Sequence, residues 1–217
     1  MPHGQTNVLV WDPVVRLGHW LLAVAFLVAF VTEEDLIGLH VWAGYAAGAI
    51  VVLRVIWGFI GSRYARFSDF LYGPATAVRY GLDLLRFRAK RYVGHSPAGA
   101  AMVFALLVSL SLTVVTGMAL YGVQDKAGPL AGFLAADTGA TSIAPGVRSA
   151  RAEEESEHEG SSTGGRRQRS ALKETHELFA NLTLWLVVFH IAGVVFASLV
   201  HRENLVWAMI SGRKRAD

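Results

Sequence analysis

The stretch ALKETHELFANLTLWLVVFHIAGVVFASLVH, residues 171–201, is apolar enough over most of its length to cross a membrane, yet it carries His176 and His190. The two histidines are fourteen positions apart. At about 100° per residue a helix returns after fourteen steps to within about 40° of the same face, about 21 Å further along its axis. Two imidazoles therefore share a face at two depths. An ionisable side chain in hydrocarbon is costly and marks a functional site by default, so the pair calls for a partner. Iron is the partner that fits imidazoles at two depths.

Outward from that stretch the chain has a membrane composition. Its 217 residues are 53% hydrophobic and 17% charged, with the apolar residues gathered into blocks. Four blocks, 14–32, 36–60, 97–121 and 171–200, approach or exceed the roughly 20 residues that cross the hydrocarbon of a bilayer. Backbone polar groups cannot go unpaired in lipid, so these blocks are helices. The first lacks a strongly basic leader and a clear small-residue cleavage site, and reads as a span rather than a signal peptide. The expected fold is all-α: one integral-membrane domain over 1–217, a four-helix up-down-up-down bundle with interfacial helices after spans two and four. Pro74 opens the first of these, with Val78, Leu82 and Leu85 on one face and Arg79, Asp83, Arg86 and Lys90 mostly on others. The second covers 203–210, with Trp207 at the interface. The segment 122–170 reads as a long polar, disordered periplasmic loop, because its acidic and glycine-rich run from Glu153 to Gly165 is too polar to bury a core.

Arginine and lysine crowd the loop after span two, with Arg63, Arg66, Arg79, Arg86, Arg88, Lys90 and Arg91, and the tail, with Arg202, Arg213, Lys214 and Arg215. The link between spans one and two carries only Glu33, Glu34 and Asp35. The positive-inside rule then places both termini in the cytoplasm. The net charge of +3 follows from this bias and is no sign of nucleic acid. Cysteine is absent, which excludes disulfides, thiolate metal sites, iron-sulfur clusters and covalent haem. Any haem is held non-covalently and is b-type.

Alternating span directions give a depth test. His19 lies near the inner end of span one, His40 near the outer end of span two, His176 near the outer end of span four and His190 four turns deeper. The depths pair His40 with His176 and His19 with His190, giving two six-coordinate haems suited to electron transfer. Arg54, fourteen residues after His40 on nearly the same face, and Arg16, one turn before His19, are propionate candidates. Arg16 reads equally well as an interfacial cation reaching lipid phosphate. Gly44, Gly48, Ala23, Ala180 and Gly193 follow the ligands at helical spacing and suit a flat macrocycle, although such spacing also serves helix packing. His95 and His201 sit at membrane boundaries, where interfacial packing suffices, and His3 and His158 read as solvated.

These residues resemble the bacterial cytochrome b-561 and nickel-iron hydrogenase cytochrome b subunit family. The resemblance rests on Trp11-Asp12-Pro13 with Arg16-Leu17-Gly18-His19-Trp20, on Leu39-His40-Val41-Trp42-Ala43-Gly44-Tyr45, and on Arg54 through Gly61. It continues through Glu174-Thr175-His176-Glu177, His190-Ile191-Ala192-Gly193 and His201-Arg202-Glu203-Asn204 to Arg215, in order along nearly the whole chain. It implies two b haems and electron transfer in a respiratory chain between the quinone pool and a periplasmic donor or acceptor, such as a c-type cytochrome or a hydrogenase-like subunit. His95, Arg54, His201 and Asn204 are the candidates to line a quinone site. Membrane lipid is a further partner, and a homodimer is compatible with the pattern. The alternative is an enzyme acting alone, a superoxide:quinone oxidoreductase, with Lys126, Arg166, Arg167, Arg169 and Lys173 drawing the anion in. The polar third loop is longer than the family pattern suggests.

Overall fold

A computed structural model of the protein describes residues 7–33, 35–132 and 158–216. It is mostly helical. Strand β1 (Asn7–Leu9) is followed by α1 (Pro13–Val31), α2 (Ile37–Ile60), two short 3-10 turns, α3 (Pro74–Leu85), α4 (Pro97–Gln124), α5 (His158–His201), α6 (Leu205–Ser211) and strand β2 (Arg213–Arg215). Four helical segments are long and apolar enough to span a membrane: Pro13–Val31, Ile37–Ile60, Pro97–Gln124 and Arg166–His201. The chain forms two compact units, one of residues up to Ser111 together with those from Leu182, the other Leu112–Asn181.

In the first unit α1 begins where Asp12 caps it, its Oδ1 accepting from the Val15 amide at 3.0 Å, with Pro13 opening the helix. The same carboxylate accepts from Trp57 Nε1 at 3.1 Å and from the Ser62 hydroxyl, at the far end of α2. At the opposite end His40 Nδ1 lies 2.8 Å from the Ala29 carbonyl. Both ends of the α1–α2 hairpin are thus pinned, and the two helices run antiparallel. Ala25, Ala43 and Ala47 are buried, whereas Trp42 and Phe59 are 74% and 70% exposed. This is the pattern of helices that pack through small residues and turn large apolar ones to lipid. Between α4 and α5 in this unit, the buried hydroxyls of Ser109 and Thr183 bond at 2.6 Å.

A polar clasp gathers the ends of the first unit. β1 pairs antiparallel with β2, Asn7 opposite Arg215 and Leu9 opposite Arg213. Beside the ladder, Glu203 accepts from Arg91 Nη2 at 3.0 Å and from the Arg215 amide at 3.2 Å, and Lys214 Nζ lies 3.6 Å away. Lys214 also donates to the Tyr92 carbonyl at 3.0 Å, and Arg91 to the Arg215 carbonyl at 2.6 Å. Burial pulls the Lys214 ammonium below its usual value, and Glu203 opposes this only in part. For Glu203, burial acts upward but is outweighed by Arg91, Lys214 and the Arg215 amide, so its carboxyl stays below the usual range. Buried ions persist when every one is paired and hydrogen-bonded, as these are.

One expectation needs correction. The loop 122–170 is shorter than the sequence suggests, since α4 runs to Gln124 and α5 already begins at His158. Polarity forbids a core but not a solvated helix. From Arg166 onward the sequence is rich in good helix formers, and Ser170 bonds Glu174 while Lys173 meets Glu177, each one turn on. The part of the acidic run before His158, residues 153–157, lies outside the described residues. The all-α expectation holds, and the short β1–β2 ladder is an addition to it. Its strands are three residues each and separated by almost the whole chain, so no local pattern announces them.

Candidate metal centre

α1 and the inner part of α5 bring His19 and His190 together, with ring centres 6.3 Å apart and planes inclined by 56°. An imidazole nitrogen sits about 2.0–2.1 Å from a bound metal and about 1.1 Å from its own ring centre, so two axial rings on one metal stand about 6.3 Å apart. The observed separation fits a shared metal. Among the described residues no group of three or more His, Cys, Asp or Glu converges as a metal site. Two imidazoles alone suit a metal whose other ligands come from a macrocycle. Trp20 lies edge-on to His19 at 5.2 Å, and His19 Nδ1 is buried with no hydrogen-bond partner among the described residues.

His40 and His176 are each held by a second contact. His40 Nδ1 bonds the Ala29 carbonyl, as above, and in the second unit His176 Nδ1 lies 3.0 Å from the Thr113 carbonyl and 3.3 Å from Thr116 Oγ1. A carbonyl accepts only, so in both rings Nδ1 carries the proton and the lone pair falls to Nε2. This is the tautomer a metal-ligating imidazole needs, and such contacts also fix ring orientation. Gly117 completes the His176 seat: a Cβ there would stand 2.9 Å from the ring's Cε1. Thr113, Thr116 and Gly117 were not singled out from sequence. The available signal was weak, a Thr-Gly step inside an otherwise apolar span, and the backbone carbonyl carries no signal at all.

The small residues divide by role. Helix packing on α2 falls to Ala43 and Ala47, whereas a Cβ at Gly44, or at Gly193 on α5, would have no neighbour within 4 Å. Gly44 and Gly193 thus leave open space on the helix flank near their histidines, which would admit a flat macrocycle. Arg54 stacks over Phe67 at 5.1 Å, and its Nη1 is buried with no partner among the described residues. Gly58 makes room for that phenyl ring, which a Cβ would strike. A buried, unpaired guanidinium N–H suits a carboxylate such as a propionate. Arg16 instead donates to the Ile210 carbonyl at 3.0 Å, at the end of α6, while its Nε is buried without a partner among the described residues.

The remaining candidates separate. Asn204 caps α6, accepting from the Trp207 amide at 2.8 Å, and His201 Nε2 lies 3.1 Å from the Tyr80 hydroxyl. Both have structural partners. His95 packs between Trp11 and Phe70 with its Nδ1 buried and unpaired among the described residues, and burial, with the charges of Arg54 and Lys214, outweighs a backbone hydrogen bond with Tyr64 and pushes its pKa down to about 3.

Residues 10–212 match the family described as prokaryotic cytochrome b561. The chain belongs to that family. It is a multi-pass membrane b-type cytochrome, and the family implies haem b, which the imidazole geometry fits. Among its relatives, the probable Ni/Fe-hydrogenase B-type cytochrome subunit of Rhodobacter capsulatus is 24% identical, over 97% of this chain and 82% of that protein. The protein of the same name from Bradyrhizobium diazoefficiens is 25% identical over 98% of this chain and 87% of its own length. That of Azotobacter vinelandii is 29% identical over 54% and 60%. No solved structure matches the chain.

Proposed function

We propose that this cytochrome b561 carries two b haems, one between His19 and His190 and one between His40 and His176, and passes electrons between a periplasmic redox partner and the quinone pool. The observation that carries the reading is the 6.3 Å separation of the His19 and His190 rings. The second pairing rests on the matched depths in the sequence, supported by the Nδ1 contact that each of its rings makes. Bound haem iron supplies a one-electron couple. Each histidine pair would hold the iron of one haem, and Arg54, with Arg16 as the second candidate, would receive propionate charge. A hydrogenase is the favoured partner, since the relatives carry that name. His95 is the favoured quinone contact, because His201 and Asn204 already have partners. Both termini lie in the cytoplasm of the inner membrane in this reading.

The test is haem stoichiometry with reduced-minus-oxidised spectra of the detergent-purified protein. Two low-spin b haems are expected, with His40→Ala and His190→Ala each losing a different one. Absence of haem, or retention of both in either variant, overturns the assignment. One observation favours a second reading: Arg166, Arg167, Arg169 and Lys173 are all exposed on α5 within ten residues before His176. Cations there would draw in superoxide as readily as an acidic protein. A fast, salt-sensitive reduction of the oxidised protein by superoxide would make it an oxidase acting alone.

A further inference from the structure

Asp12 lies outside every ligand and propionate assignment, yet its carboxylate joins more of the chain than any cap requires. Oδ1 holds the first turn of α1, and Oδ2 takes the indole N–H of Trp57 and the hydroxyl of Ser62 at the end of α2. His19 follows seven residues later on α1, about 10 Å along the axis. Arg54 precedes Trp57 by three residues, one turn along α2. A shift of Asp12 would slide or rotate the helix bearing His19 against the helix bearing Arg54. Glycine makes the junction tight, since a Cβ at Gly61 would strike the Trp57 carbonyl and indole. The charge of Asp12 also reaches Arg54. Its own pKa is lowered: burial acts upward, and the bonds from Ser62, Val15, Trp57 and Val14 together outweigh it. It is thus a fixed anion at neutral pH.

We propose that Asp12 is a positioning residue for the His19–His190 centre: its bonds to Trp57 and Ser62 set the orientation of the His19 imidazole, and its charge offsets that of Arg54. The inference rests on the reading of His19 and His190 as axial ligands. The far end of the hairpin has its own pin, His40 to Ala29, so the effect is local to one centre.

Asp12→Asn and Trp57→Phe separate charge from geometry. Asparagine remains a good helix cap but is neutral and brings an amide donor towards two existing donors. Phenylalanine removes only the indole N–H. Low-spin ferric EPR, whose largest g value reports the angle between axial imidazole planes, and spectroelectrochemical potentials are measured on the full-length protein in detergent. His190→Ala identifies which signal belongs to which haem. Both variants are expected to keep two haems and to shift the g value of the His190-dependent one. Only Asp12→Asn raises its midpoint potential, by loss of a nearby negative charge, and the other haem keeps its signals. Two haems with unchanged EPR and potentials in both variants overturn the proposal while leaving the ligands standing. Equal shifts or losses at both haems also overturn it, since they mark a general structural role. A wild-type protein without a His190-dependent haem removes the ligand reading and this inference together.

Discussion

His40 and His176 differ from His19 in how their rings are held. Each of the first two has Nδ1 against a backbone carbonyl, from Ala29 and Thr113, whereas the Nδ1 of His19 is buried with no partner among the described residues. A carbonyl on Nδ1 fixes tautomer and ring angle and makes the other nitrogen a stronger ligand. The His19 ring instead takes its orientation from packing against Trp20 and from the placement of its helix. One family fold thus contains two means of presenting an imidazole, one by local hydrogen bond and one by helix register. They should fail in different ways.

The largest expected difference comes from Gly117→Val. The new side chain must occupy space held by the His176 ring, so the variant should bind one haem rather than two and keep the spectrum of the His19–His190 centre. Retention of both haems at wild-type stoichiometry would break the comparison.

A smaller effect separates the centres by pH. His95, in the unit that holds His19, titrates near 3 when folded, against about 6.5 when unfolded. Between those values the unfolded chain binds the proton and the folded chain does not. The stability from neutral His95 is therefore complete above about pH 6.5 and is lost as pH falls, by up to about 1.4 kcal/mol per unit. Thermal loss of the His190-dependent haem signal should come earlier at pH 5 than at pH 7, and His95→Gln should flatten that dependence.

The smallest shift belongs to Thr116→Val. It removes a hydroxyl 3.3 Å from His176 Nδ1 but leaves the Thr113 carbonyl in place. With a slightly less basic ligand, the potential of that haem alone should rise, changing its reduction equilibrium by less than about tenfold. An equal rise at both haems would show that the hydroxyl acts on the bundle and not on one imidazole.

What could be read from sequence follows the range of the forces involved. The spans were legible because lipid demands about twenty apolar residues in a row, and α1 and α2 begin and end within one residue of the expected blocks. The histidines stood out as candidates because a polar ring is out of place among leucines and valines, and helical spacing sets their faces. The start of α5 was not legible, since a solvated helix needs no apolar pattern. Nor were the seat of His176 or the ties of Asp12 to Trp57 and Ser62. The first depends on a carbonyl that every residue possesses, and the second on contacts between residues 45 and 50 positions apart. Asn204, a quinone candidate by family resemblance, also caps a helix, a role the sequence reading did not assign to it.

The pairing of Asn7 with Arg215 also has a consequence in time. β1 precedes the four spans in the chain and β2 follows them, so the ladder and the Arg91–Glu203–Lys214 cluster cannot form until all four spans have been synthesised. Until then α1 and α2 stand in the bilayer as a separate hairpin, held by Asp12 at one end and His40 at the other. The clasp therefore closes only after the fourth span, and removing β2 should slow maturation more than it weakens the finished hairpin.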